Sequence, residues 1–331
     1  MYLGRNQSQG GLGDFQGQYA EILYFDRELS DVERMQVEGY LAHKWALTAN
    51  LPADHPFKTA APTVPEYEGW TPADIDTDLW LDGADASTVL VDTEGVFTWA
   101  DKSGNDNNAT QATAADKPTV TTFNSVPALR FENTDALNGD SAMVTGADAQ
   151  TLFVVYDPQS VSSLDPILGQ GTGTTFSTHR HLFSRSTGTS TNQGDPNWSC
   201  YGDDIPVPGD DATIGQKLVS VTYDGSDTKV FKDGVLYSSK AQTLNTIDTP
   251  YYVGGWNGNF SDQIIAEVIA VPGSLPVAER QRIEGYLAWK WGLVADLPDD
   301  HFYKTFAPGT RIPWTPSSTR TEIWLDADDS D

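Results

Sequence analysis

The sequence predicts an antiparallel β-sandwich closed by one helix per repeat, and three observations carry that expectation. Between Trp70 and Pro272 the chain runs as short β-branched and aromatic stretches broken by Gly, Asn, Asp and Pro, the pattern of strands and turns in a two-sheet fold. Helical periodicity is confined to the segment after the last strand. The third observation is repetition: "EGYLAHKWAL" at 38–47 returns as "EGYLAWKWGL" at 284–293, 246 positions later (284 minus 38). Such repeats have to be resolved before a fold is assigned.

The likeness is longer than ten residues. Ala20-Glu21-Ile22 answers Ala266-Glu267-Val268, Glu33-Arg34 answers Glu279-Arg280, and "NLPADHPFKTAAP" (50–62) answers "DLPDDHFYKTFAP" (296–308). "WTPADIDTDLWLDGAD" (70–85) returns as "WTPSSTRTEIWLDADD" (314–329), at an offset of 244 (314 minus 70). The chain therefore reads as the C-terminal part of one copy (1–62), a linker (63–69), a complete copy (70–308) and the start of a third (309–331). "YLGRNQ" after Met1 aligns loosely with "YVGGWN" (252–257), which predicts a segment of a longer tandem array.

Within the complete copy the expected strands are "TDLWLD" (77–82), "ALRF" (128–131), "QTLFVVYD" (150–157), "KLVSVTYD" (217–224), "TKVFKD" (228–233), "GVLYSS" (234–239), "YYVGG" (251–255) and "IIAEVIAV" (264–271). Asp233-Gly234 marks a tight hairpin, whose turn needs positive φ. The helix follows. In the first copy Ser30 and Glu33 have capping-box spacing; in the second, Pro276 suits a first helical position. Ile283, Leu287 and Trp291 form an apolar stripe, and Gly292 suits a left-handed stop. The segment 172–211, rich in Gly, Ser, Thr, Asn and Asp, is the longest stretch without an expected strand, and long loops on a rigid scaffold carry function or disorder.

Composition narrows the function classes. A unit of about 240 residues can bury a core without staples, and Cys200, the one cysteine, has no partner in the chain. No run reaches the roughly 18–20 apolar residues of a membrane span. The net charge of −27, from 47 acidic and 20 basic residues, repels phosphate backbones and anionic lipid surfaces, so neither nucleic acid nor membrane insertion is expected.

"WADKSGNDNNATQ" (99–111), "ALRF" (128–131), "KLVSVTYDGSDTKVFKDGVLYSS" (217–239), "YYVGG" (251–255) and "AEVIAVPGSLPVAERQRIEGYLAWKWG" (266–292) stand in the order that resembles a laminin G-like domain of the concanavalin A-like lectin and glucanase superfamily. The resemblance implies an all-β, two-sheet antiparallel jelly roll with one C-terminal helix per repeat. It also implies a setting in large secreted or surface tandem proteins of bacteria, or in phage structural proteins. Members of that superfamily include glycan binders, adhesive modules, spacers and glycosidases, so fold alone does not fix function.

The residues were therefore weighed for chemistry. Retaining hydrolysis needs two carboxyls about 5–5.5 Å apart, and no E-x-D-x-E run is present; "AEILYFD" (20–26) and "AEVIAV" (266–271) each offer one acid without a partner two residues away. "DTEGVFTW" (92–99) approaches a sialidase Asp box, with one residue too many between Gly95 and Thr98-Trp99. Enzymatic activity is not expected. Cys200 lies in acidic, aromatic surroundings that disfavour a thiolate. His179 and His181 could share one strand face and bind a transition metal with Asp203 or Asp204, or serve as ordinary loop residues.

Calcium is the candidate cofactor. Asp82 and Asp85, followed by Asp101, Asn105 and Asp106 on a Gly-containing turn, offer the oxygens calcium requires; the alternative is that they bond their own backbone as turn formers. For glycans, exposed aromatics beside amides are needed, and Trp198, Tyr201, Trp256 and Asn257 are the loop candidates. Trp289 and Trp291 are assigned to helix packing. The expectation is a non-enzymatic extracellular adhesion or recognition module whose partners are a glycan or cell-surface ligand and neighbouring repeats. A structural spacer is the alternative and a glycoside hydrolase-like enzyme the third. The 1–62 segment lacks most strands of its own copy, so its stripe of Val37, Leu41 and Trp45 is expected to fray.

Overall fold

The structure is a computed structural model that describes residues 17–29, 31–53, 55–62, 70–160, 165–171, 175–185, 195–200, 202–205, 214–305, 307–309 and 323–326. The chain divides into two compact units, Gly69–Gly309 and a second built from Met1–Glu68 with Thr310–Asp331. In chain order the elements begin with β1 (Glu21–Tyr24), α1 (Asp31–Lys44), β2 (Leu79–Asp82), β3 (Val89–Val91), β4 (Val96–Trp99), β5 (Ala109–Thr110), β6 (Thr119–Phe123) and β7 (Val126–Phe131). They continue with β8 (Leu137–Gly139), β9 (Gln150–Pro158), β10 (Asp165–Gly171), β11 (His179–Arg185), β12 (Asp195–Ser199), β13 (Lys217–Tyr223) and β14 (Asp227–Lys232). The last are β15 (Val235–Ala241), β16 (Tyr251–Val253), β17 (Gly255–Trp256), β18 (Asn259–Phe260), β19 (Gln263–Pro272), α2 (Val277–Trp291) and β20 (Ile323–Asp326).

The unit Gly69–Gly309 is an all-β, two-sheet antiparallel sandwich with a C-terminal helix. A central sheet runs β15-β14-β13-β9-β19-β7-β6, with β2 also paired to β19, and an outer sheet runs β12-β11-β10-β16-β8-β5-β4-β3. Between them lies one core, with Leu79, Leu129, Val154 and Val268 from the central sheet meeting Trp99, Leu168, Leu182 and Tyr251 from the outer. The other face of the central sheet presents Trp80, Phe153, Leu218 and Ile269 to Ile283, Leu287 and Trp291 of α2. Because both its faces are covered, β9 and β13 are buried almost throughout, which is why they read as near-continuous apolar runs rather than alternating ones.

The segment 172–211, where the sequence marks no firm strand, contains β11 and β12. In "HRHLFSR" polar residues stand on both sides of the pleat, and in "DPNWS" Trp198 is the one large apolar residue, so neither run shows the apolar alternation that marks a strand. Asp233 and Gly234 join β14 to β15 at φ +50° and +82°, as the hairpin expectation required. α2 starts after Pro276 and ends on Gly292 at φ +73°, with the Leu293 amide returned to the Ala288 carbonyl at 2.8 Å.

The repeated ten residues form the same polar lock in both units. Trp291 Nε1 donates to Glu267 at 2.6 Å, as Trp45 Nε1 does to Glu21 at 2.7 Å. His301 bonds Glu284 at 3.3 Å while its Nδ1 accepts the Tyr303 amide; His55, Glu38 and Phe57 repeat this arrangement. In each, Nδ1 accepts, so Nε2 carries the proton. A Cβ on Gly285 would lie 2.4 Å from Tyr303 Cβ, and one on Gly39 2.6 Å from Phe57 Cβ. The motif's glycine thus exists to let the "H-x-aromatic" segment cross the helix.

Asp233 supplies a pH test. Burial and the nearby Asp296 push its carboxyl up to about 6, although Oδ1 accepts the Leu218 amide at 2.9 Å. The folded state holds this proton more tightly than the unfolded chain, so Asp233 lowers stability as pH rises through the window from about 4 to about 6. Asp233→Asn keeps the acceptor and tolerates positive φ, and is expected to stabilise by on the order of 1 kcal/mol at pH 7 with no gain at pH 4. Melting curves at the two pH values check this; an equal gain at both would reject it.

Candidate ligand-binding face

The outer sheet has a second face, turned away from the core. Alternation along β11 sends Arg180, Leu182 and Ser184 inward and His179, His181 and Phe183 outward. Arg180 is held inside by Thr246, by the Asp148 carbonyl and by the Tyr223 ring. On the outward side the His179 and His181 rings stack at 3.8 Å between centroids. The short β17–β18 hairpin places Trp256 over them, 4.4 Å from His181, and Tyr252 of β16 closes the group at 5.2 Å. This packing depends on Gly169 of β10, where a Cβ would fall 2.3 Å from Tyr252 Oη and 2.5 Å from the His181 ring.

The cluster is buried, and some of its polar atoms are unmatched. His181 is 0% exposed and Tyr252 6%, yet Tyr252 Oη and Asn197 Oδ1 find no partner among the described residues, and neither His181 ring nitrogen makes a hydrogen bond of good geometry there, although the Gly171 and Gln170 backbone acts on the ring. Burial first, and His179 second, lower the His181 pKa to about 2, so the ring is a neutral imidazole with one donor and one acceptor. Burial likewise holds the Tyr252 phenol protonated. An unsatisfied buried polar group costs about 1–3 kcal/mol, and such groups call for a specific explanation.

Neither described hydroxyl nor thiol beside the cluster, Ser199 or Cys200, is set up as a nucleophile. Ser199 Oγ donates to Asp204 at 2.7 Å and meets His179 Nε2 at 3.2 Å, so its proton is committed to the carboxylate rather than to the imidazole. Cys200 is fully buried with its thiol pushed up to about 12, chiefly by burial.

Of the four loop residues expected to meet a ligand, Trp256 reaches this face. Trp198 does not: it stands in β12 rather than on a loop, 3% exposed in the inter-sheet core, because the pleat turns it inward beside Leu182. Asn257 occupies the exposed hairpin tip at φ +49°, and Tyr201 lies outside the described residues. His181 and Tyr252 were not singled out as ligand contacts. The signals that point to them are the alternation of His-Arg-His and of Tyr251 with Tyr252.

Of the residues expected to hold calcium, Asp82, Asp85 and Asp101 are engaged by protein donors. Asp82 receives Lys290 at 2.6 Å and Lys102 at 2.8 Å; Lys102 also holds Asp85 at 2.8 Å and, with Ser87, lowers its pKa to about 2. Asp101 accepts the amides of Trp80, Ser103 and Asn107. Asn105 donates to the Thr77 carbonyl, and Asp106 is exposed at φ +56°. Among the described residues no three His, Cys, Asp or Glu converge on a metal position.

One carboxylate pair does form, across strands rather than along one. Glu267 of β19 stands opposite Asp82 of β2, with Lys290 bridging them at 2.7 and 2.6 Å. Glu267 is fully buried against the indoles of Trp80 and Trp291, on the helix side of the sheet.

No protein-family model and no curated protein matches the chain. Among solved structures it is similar to the binding domain of Paraclostridial Mosquitocidal Protein 1, at 11% identity and a TM-score of 0.47, over 65% of this chain and 53% of that one. It is similar to domain 4 of AbnA, a GH43 extracellular arabinanase from Geobacillus stearothermophilus, at 12% identity and a TM-score of 0.44, over 65% and 97%. It is also similar to Trypanosoma rangeli sialidase, at 14% identity and a TM-score of 0.44, over 78% and 40%. The chain thus spans about half the length of the first and two-fifths of the third.

Proposed function

We propose that this chain is a glycan-recognition module, laminin G-like in build, from an extracellular tandem-repeat protein, and that it acts without catalysis. The observation that carries the proposal is the unmatched polar set of His181 and Tyr252 beneath the Trp256 indole. A sugar offers a C–H face that packs on an indole and hydroxyls that both donate and accept, which suits a neutral imidazole, a phenol and the Asn197 carbonyl oxygen. The net charge of −27 opposes anionic glycans, so the favoured ligand is neutral. Entry requires Trp256 to lift from His181, and the hairpin that carries it has two residues per strand.

Tyr252→Phe is the informative variant. It removes a hydroxyl without a described partner, so stability is expected to stay level or rise by about 1 kcal/mol, while affinity for the bound glycan falls about tenfold. A glycan array with and without calcium selects the ligand, and calorimetry on both proteins reads the change. Unchanged affinity in Tyr252→Phe, or an array without a hit, would reject the site. Release of reducing sugar from the selected glycan would reject the non-catalytic reading. The spacer reading keeps one observation in its favour, the closing lock repeated in both units; it requires that no glycan binds at this face.

A further inference from the structure

The second unit is assembled from segments at opposite ends of the sequence. β1 pairs antiparallel with β20: Glu21 stands opposite Asp326, Ile22 opposite Leu325, Leu23 opposite Trp324 and Tyr24 opposite Ile323. In the other unit β19 pairs with β2 in the same register: Glu267 opposite Asp82, Val268 opposite Leu81, Ile269 opposite Trp80 and Ala270 opposite Leu79. The sequence offsets of 246 and 244 map one ladder onto the other, residue for residue. The head of one copy therefore closes the tail of another: 1–62, expected to fray for want of the other strands of its own copy, gains β20 as a partner for β1.

We infer that β1 with α1 is a receptor for the opening strand of a repeat, and that two copies of this chain join head to tail by exchanging β20. The recognition chemistry is the one seen in the complete unit. There the β2 strand delivers Trp80, whose indole donates to Glu267 at 2.7 Å, and Asp82, which completes the bridge through Lys290. Trp324 and Asp326 occupy the equivalent register positions opposite β1, and Glu21, Lys44 and Trp45 repeat the receiving side, with Trp45 Nε1 to Glu21 at 2.7 Å and Lys44 to Glu21 at 3.7 Å.

One feature favours exchange over permanent closure. The ladder is short and two-stranded: β1 pairs with β20 alone among the described strands, whereas β19 also carries β9 on its other edge. A lone two-stranded ladder is marginal, so it opens readily. Closed and exchanged forms make the same β1–β20 contacts, so concentration decides between them, as in domain swapping. Being part of the same chain holds β20 at an effective concentration of roughly millimolar; copies approaching that concentration compete with internal closure.

The test uses two full-length variants, one carrying Ile22→Cys and the other Leu325→Cys, residues directly opposite in the ladder. Native Cys200 is buried and does not interfere. Mixed under oxidising conditions, they are expected to give a disulfide-linked heterodimer whose yield rises with concentration, well above that of Ile22→Cys mixed with Ile323→Cys, which is out of register. A single chain carrying both Ile22→Cys and Leu325→Cys is expected to close on itself when dilute. Internal closure in that double variant with no heterodimer from the mixed pair at any concentration would overturn the exchange. Absence of both linkages would overturn the β1–β20 receptor itself.

Discussion

Glu267→Ala is expected to destabilise the complete unit by about 3–5 kcal/mol, the range for removing one member of a buried ion pair. The carboxylate is fully buried and accepts from Trp80 Nε1 at 2.7 Å, Trp291 Nε1 at 2.6 Å and Lys290 Nζ at 2.7 Å. Burial pushes its carboxyl above the usual range, with Lys290 opposing and the neighbouring Asp82 carboxylate adding to the rise. Without it, two indole N–H groups lose their acceptor and the Lys290 ammonium keeps only Asp82. Urea unfolding monitored by tryptophan fluorescence measures the loss. A change below about 1 kcal/mol would mean that solvent reaches the site and the lock is ornamental.

Trp291→Ala is the second large effect, again about 3–5 kcal/mol for truncating a fully buried aromatic. Its ring packs edge-on against Phe123 at 5.7 Å, and its indole N–H belongs to the same lock, so the double variant with Glu267→Ala should cost less than the sum. Trp45→Ala makes the contrast. It alters the matching residue of the repeated motif, but Trp45 is half-buried on a helix with few strands beneath it. The main unfolding transition should move little. A loss in Trp45→Ala equal to that in Trp291→Ala would show that the two units unfold as one.

What could be read from the sequence follows how each element is buried. β9, β13 and β19 were legible because a sheet covered on both faces selects β-branched and aromatic residues at nearly every position, and the Asp233-Gly234 hairpin because its backbone demands left-handed residues. β3, β5, β8 and β11 were not, since they are short or carry polar side chains on the outer face. The same reason limited the site. Trp256 stands out as a loop aromatic, but the value of His181 and Tyr252 arises only when β10, β11 and β16 are neighbours, a pairing that sets both residues opposite Gly169. Local spacing shows Asp82 beside other oxygens, whereas the ammonium that holds it in the structure, Lys290, lies 208 residues away in the sequence.

The His181 ring has one more consequence. Histidine ordinarily changes charge between pH 5 and 8 and makes a surface responsive to acidity. Here the imidazole is sealed under an indole and its pKa sits at about 2, so a residue type that usually senses acid is made indifferent to it. With Trp256 seated, the charge of this face at His181 is therefore expected to be the same at pH 5 as at pH 7.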